Sequence, residues 1–132
     1  MRKSRSYKLM LSRDGVQLYL SCHCRLARLA CEFIPYGQTL GVAVAVLDQL
    51  APWDIAAEFE TQRFARSCGN TPHFVGSTSQ IGERVAAIRA RLCGSAEFSS
   101  DPTVRDLYIA GLLGFESTDD NQLLKAYSQL QF

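Results

Sequence analysis

The apolar residues change period along the chain, and that switch limits the fold more than any other feature. Between residues 7 and 22 they alternate with polar ones, in Tyr7-Lys8-Leu9-Met10-Leu11 and again in Val16-Gln17-Leu18-Tyr19-Leu20-Ser21-Cys22. Alternation is a strand pattern, because successive side chains of a strand point to opposite faces. Ser12-Arg13-Asp14-Gly15 separates the two runs. Asp-Gly between alternating runs is a hairpin signal, since glycine takes positive φ without steric cost. The pattern predicts a β-hairpin over residues 6–23, with Leu9, Leu11, Val16, Leu18 and Leu20 on its apolar face. Residues 1–6 read as a flexible basic arm.

Beyond this point the period lengthens. Residues 24–34 fit a short helix through Leu26, Leu29, Ala30 and Phe33, or a third strand through Leu29, Cys31 and Phe33; the reading favours the helix. After the break at Pro35-Tyr36-Gly37, Thr39 to Leu50 reads as a buried helix, ended by Pro52. Proline suits a first helical turn, so Pro52 also opens the next helix, to Ser67. Trp53, Ala57 and Phe64, with Ile55 and Phe59, form its expected apolar face. Residues 67–72 read as a loop. Ser77 and Gln80 make a capping-box pattern ahead of the stripe Ile81, Val85, Ile88 and Leu92, closed by Gly94. Asp101-Pro102 starts a helix that Gly114 ends. Ser117 caps a last one with the stripe Leu123, Tyr127 and Leu130. The expected fold is therefore α+β, mainly α: an N-terminal β-hairpin followed by about five helices in a single domain over 1–132.

Composition agrees. The 132 residues are 47% apolar and 20% charged, which excludes a disordered chain, a collagen and a simple coiled coil. Net charge is +1, but it is segregated. Residues 1–30 are basic, 31–60 carry Glu32, Asp48, Asp54, Glu58 and Glu60 with no Lys or Arg, and 61–100 are basic again. Such alternation suits self-association of basic on acidic patches, so a homodimer is one expectation. No apolar run reaches the ~18–20 residues of a membrane helix. No secretory signal pattern follows the basic start. Five cysteines, an odd and irregularly spaced set, argue for reduced thiols and a cytoplasmic protein.

Few residues group into chemistry. Cys22, Cys24, Cys68 and His73 are the one set worth testing for zinc, since zinc takes four thiolate or imidazole ligands supplied as short-spaced pairs. Cys22-x-Cys24 is a poor pair, and buried apolar thiols explain the cysteines better. No cofactor is therefore expected, with zinc the only one weighed. His23 and His73 offer no motif that ties a histidine to a cysteine nucleophile. Asp54 with Glu58, and Asp119 with Asp120, read as helix-surface acids. There is no glycine-rich phosphate loop and no nucleophile elbow. A helix-turn-helix around Ala110, Gly114 and Leu123 fails, because its second helix opens on Asp119-Asp120, which phosphates repel.

These features point to a non-catalytic protein–protein interaction module. It would be a small regulator, inhibitor or assembly subunit of the kind phages and mobile elements encode, and not an enzyme. It would bind another protein through the charged helix face of Asp54, Glu58 and Glu60, or through the hairpin edge. The alternative is a nucleic-acid-binding protein using Arg2, Lys3, Arg5 and Lys8 of the arm with Arg84 and Arg91, which share a helix face at i, i+7.

Overall fold

Ser12 decides the start of the fold. Its backbone is extended (φ −80°, ψ 178°), and its hydroxyl accepts the Gly15 N–H, with Asp14 in the first turn behind it. That is a helix N-cap, not a turn between strands. The computed structural model describes residues 4–130. Its elements are β1 (Ser4–Leu11), α1 (Arg13–Ala30), α2 (Tyr36–Asp48), α3 (Pro52–Phe59), α4 (Gln62–Ser67), β2 (Thr71–Thr78), α5 (Ser79–Leu92), α6 (Val104–Ser117) and α7 (Asp120–Gln129). Among the described residues the fold is mainly α with one two-stranded antiparallel sheet, as the periods implied, and has seven helices where about five were expected. Ser4, Arg5 and Ser6, read as part of an arm, belong to β1.

The second strand is not where the alternation put it. Residues 16–22 are helical, and β1 pairs instead with β2, in a register running from Ser4↔Thr78 to Leu11↔Thr71. The letters of α1 satisfy both periods. Gly15, Leu18, Tyr19, Cys22 and Leu26 form a buried helical stripe, whereas Leu20, which a strand would place beside Leu18 in the core, is 46% exposed. Gly15 is needed for closeness rather than for a turn: a Cβ there would lie 2.3 Å from the Ser67 carbonyl oxygen. Residues 24–30 are helical, as favoured. The helix closes at Cys31, in the left-handed region (φ 54°), whose N–H reaches the Ala27 and Arg28 carbonyls.

The sheet lays one face on the helices. Leu9 and Leu11 are buried, and Tyr7 meets Tyr108 of α6 edge-on at 4.8 Å. Lys8 and its cross-strand partner Phe74 lie on the outer face, both exposed. The centre is the crossing of α2 and α6. Both are apolar around most of their circumference, and both are buried along most of their length, as such helices must be. Gly111 lets them approach, since a Cβ there would stand 2.7 Å from the Ala43 carbonyl oxygen. Around this pair pack α1, α5 and α7, and their buried side chains join one continuous core.

Capping chemistry sets the other boundaries. The expected helix 52–67 is two helices, because Thr61 caps α4 by accepting the Phe64 N–H. Thr78 caps α5, Thr103 caps α6 and Asp119 caps α7, each one or two residues past the expected position. Asp101 instead accepts the N–H of Gly94, whose φ of 79° follows the end of α5. Gly114 lies inside α6 rather than at its end.

Candidate functional site

The short helix α3 carries one of the exposed large aromatic side chains of the molecule, with Phe33, Tyr36 and Phe74 elsewhere. Pro52 opens it, and its inward stripe is Ile55, fully buried, with Phe59, whose ring stands 4.8 Å from Phe64 and 5.5 Å from Phe98. A two-turn helix has room for one such stripe. Trp53, expected in the core with Ala57, therefore points outward and is 63% exposed. At i, i+4 and i+7, Trp53, Ala57 and Glu60 share one outward line, and all three are exposed. Asp54 is exposed beside Trp53.

The three acids expected to act together do not have one environment. Asp54 and Glu60 make no ion pair among the described residues. Glu58 is half-buried and turns toward α6, where Arg63 of α4 forks onto Glu116. Burial pushes the Glu58 carboxyl above its usual range; the Arg63 guanidinium opposes this and the Glu116 carboxylate adds to it. A carboxyl raised on folding contributes stability below its unfolded value and loses it as pH rises through the folded one. Glu58→Gln should therefore melt higher than the wild type at pH 7, with the gain vanishing on acidification through the carboxylate range. Thermal melts across that range check the sign. A lower melting temperature at pH 7 would show that the attraction of Arg63 outweighs burial.

The basic residues are divided as well. Arg84 and Arg91 do share a face of α5, but that face meets the end of α2. Arg84 Nε donates to Asp48 Oδ2 at 3.0 Å, and Arg91 Nη1 donates to Asp48 Oδ1 at 3.3 Å. A carboxylate between the two arginines weakens them as a phosphate track. Lys8 is exposed on β1, while Arg2, Lys3 and the side chain of Arg5 lie outside the described residues.

The zinc set is dispersed. Cys22 is buried in α1, its Sγ donates to the Leu112 carbonyl at 3.5 Å, and burial pushes its thiol up to about 12. Cys24 is exposed on the same helix, and positions i and i+2 of a helix do not face each other. Cys68 is half-buried opposite Leu11, and His73 sits on β2 opposite Leu9. Among the described residues no three His, Cys, Asp or Glu side chains stand together to hold a metal. His23 stacks on Tyr36 with ring centres 4.1 Å apart, and its Nδ1 lies 2.8 Å from the Thr39 hydroxyl. Partial burial lowers its pKa. Among the described residues no helix is long and apolar enough to cross a membrane.

No protein-family model, no curated protein and no solved structure matches this chain. The functional reading therefore rests on geometry. Sequence reasoning placed the acids of α3 but missed its tryptophan, since Trp53 and Ile55 are equally apolar letters in one broad face. The signal that separates them is helix length, which only the Thr61 cap reveals.

Proposed function

We propose that the protein is a non-catalytic interaction module that docks a partner protein on the outward face of α3. Trp53 is its anchor, and Asp54 and Glu60 are the charges beside it. The observation that carries this reading is the 63% exposure of the chain's single tryptophan next to exposed acids. Tryptophan is enriched where interfaces concentrate their energy, and burying one is worth on the order of 3 kcal/mol. The complementary partner surface is an apolar socket rimmed by lysine or arginine. Opposite charge at the rim speeds encounter and fixes orientation more than it adds affinity.

The test compares partners retained from source-cell extract by the wild type, by Trp53→Ala and by Asp54→Lys/Glu60→Lys. Each retained partner is then purified and titrated against Trp53 fluorescence. The reading expects a partner whose binding falls by roughly 30-fold or more in Trp53→Ala. It also expects the double reversal to slow association, with unchanged melting temperatures in both variants. Identical retention by all three proteins would sink it.

A further inference from the structure

Where α2, α5 and α7 meet, beside Thr118 at the end of α6, they line a cleft of about 450 Å³. Its size lies within the ~300–1,000 Å³ typical of small-molecule sites. A smaller cavity of about 180 Å³ shares Arg84 and Gln129 with it, so the two adjoin. The floor is apolar: Ala45, Val46 and Leu50 from α2 and the turn after it, and Ala126 from α7. The walls are polar and one-signed. Arg84 enters from α5 and Lys125 from α7, joined by Gln49, Gln122 and Gln129, and among the described residues no carboxylate lines the cleft.

The charges are only partly cancelled from behind. Asp48 fixes Arg84 through Nε, but the same carboxylate also serves Arg91, so one negative charge faces two positive ones. Neither Nη atom of Arg84 has a hydrogen-bond partner among the described residues, and Lys125 has no ion pair among them. An apolar floor lowers the local dielectric and strengthens whatever attraction these cations exert. A neutral apolar molecule would leave the cations desolvated and unpaired, and a bare inorganic ion would leave the floor wet. We propose that this cleft binds a small organic anion, with a carboxylate or phosphate head held by Arg84, Lys125 and the glutamine amides, and a compact apolar body on Ala45, Val46, Leu50 and Ala126.

Amide-resolved NMR titration of the full chain tests it. The probes are phenyl phosphate and benzoate, against inorganic phosphate and benzyl alcohol as controls. Either organic anion should shift the signals of Gln49, Gln122 and Gln129 at millimolar or lower concentration, bind roughly tenfold more tightly than both controls, and lose at least about fivefold in Lys125→Gln and more in Lys125→Glu. Lys125 is exposed, so these variants should melt like the wild type, and Arg84→Gln gives an independent loss. Which anion binds more tightly identifies the head group. The proposal is overturned if neither anion shifts the cleft at ~10 mM, a concentration at which even weak organic-anion sites fill. It is equally overturned if a control binds as tightly, or if Lys125→Glu leaves affinity unchanged.

Discussion

Phe115→Ala should cost about 3–5 kcal/mol, a large share of the ~5–15 kcal/mol that holds a domain of this size together. The ring is fully buried near the end of α6, under the guanidinium of Arg25. The Arg25 guanidinium lies 6.0 Å above the ring centre, and its Nη1 donates to the Phe115 carbonyl at 3.1 Å. From there the same guanidinium donates to the Thr118 carbonyl and to Asp120, both at 2.7 Å, tying α1 to the α6–α7 turn. Removing the ring opens a cavity beneath that clamp. Urea denaturation should show a midpoint far below that of the wild type with a similar slope. A loss under ~1 kcal/mol would mean that the site collapses around the gap and that the α6–α7 turn is held by the arginine alone.

The second large effect is a change of sign between two glycines in helix interiors. Gly→Ala inside a helix ordinarily gains about 1 kcal/mol of propensity. Gly82 in α5 has nothing within 4 Å of where a Cβ would stand, so Gly82→Ala should stabilise by close to that amount. Gly111 in α6 is different, because its Cβ would lie 2.7 Å from the Ala43 backbone oxygen, and backbone in the middle of a buried helix cannot step aside. Overpacking of this kind costs about 1–3 kcal/mol and more where the obstacle is rigid, so the clash wins and Gly111→Ala should be destabilising by about 2 kcal/mol. Paired melts of the two variants decide it. Stabilisation by both would show that α2 and α6 can separate without loss.

Much of this architecture was legible because burial writes its own period. Ile81, Val85, Ile88 and Leu92 are buried on α5, Leu123 on α7, and the nearly uninterrupted apolar letters of α2 and α6 correspond to helices buried along most of their length. Two failures have a common cause. The stretch from Val16 to Cys22 carries strand and helix periods in the same letters, and only the pairing of β1 elsewhere frees it to be helical. That partner, Thr71-Pro72-His73-Phe74-Val75-Gly76, contains a proline and a glycine that locally mark a turn, and becomes a strand by docking on β1. Pairing between distant segments leaves no trace in a sliding window. The site divides in the same way. The acids of α3 and the shared face of Arg84 and Arg91 follow from helical spacing, whereas the outward turn of Trp53 and the carboxylate of Asp48 between the arginines depend on which elements pack together.

The pairing of β1 with β2 also orders events in time. Leu11 and Thr71 are neighbours in the sheet but sixty positions apart in the chain. Closing a flexible loop of that length costs about 3–4 kcal/mol from its length alone, far more than a tight hairpin of two residues. On a ribosome the first strand emerges and waits, for several seconds at ordinary rates of about 5–20 residues per second, until its partner is made. During that interval α1 to α4 can form from local contacts and shorten the distance to be closed. The sheet is then a late latch, whose first strand spends its early life with an unpaired edge. A nascent chain paused before residue 71 would be the form most exposed to capture by another strand, including the same strand of a neighbouring copy.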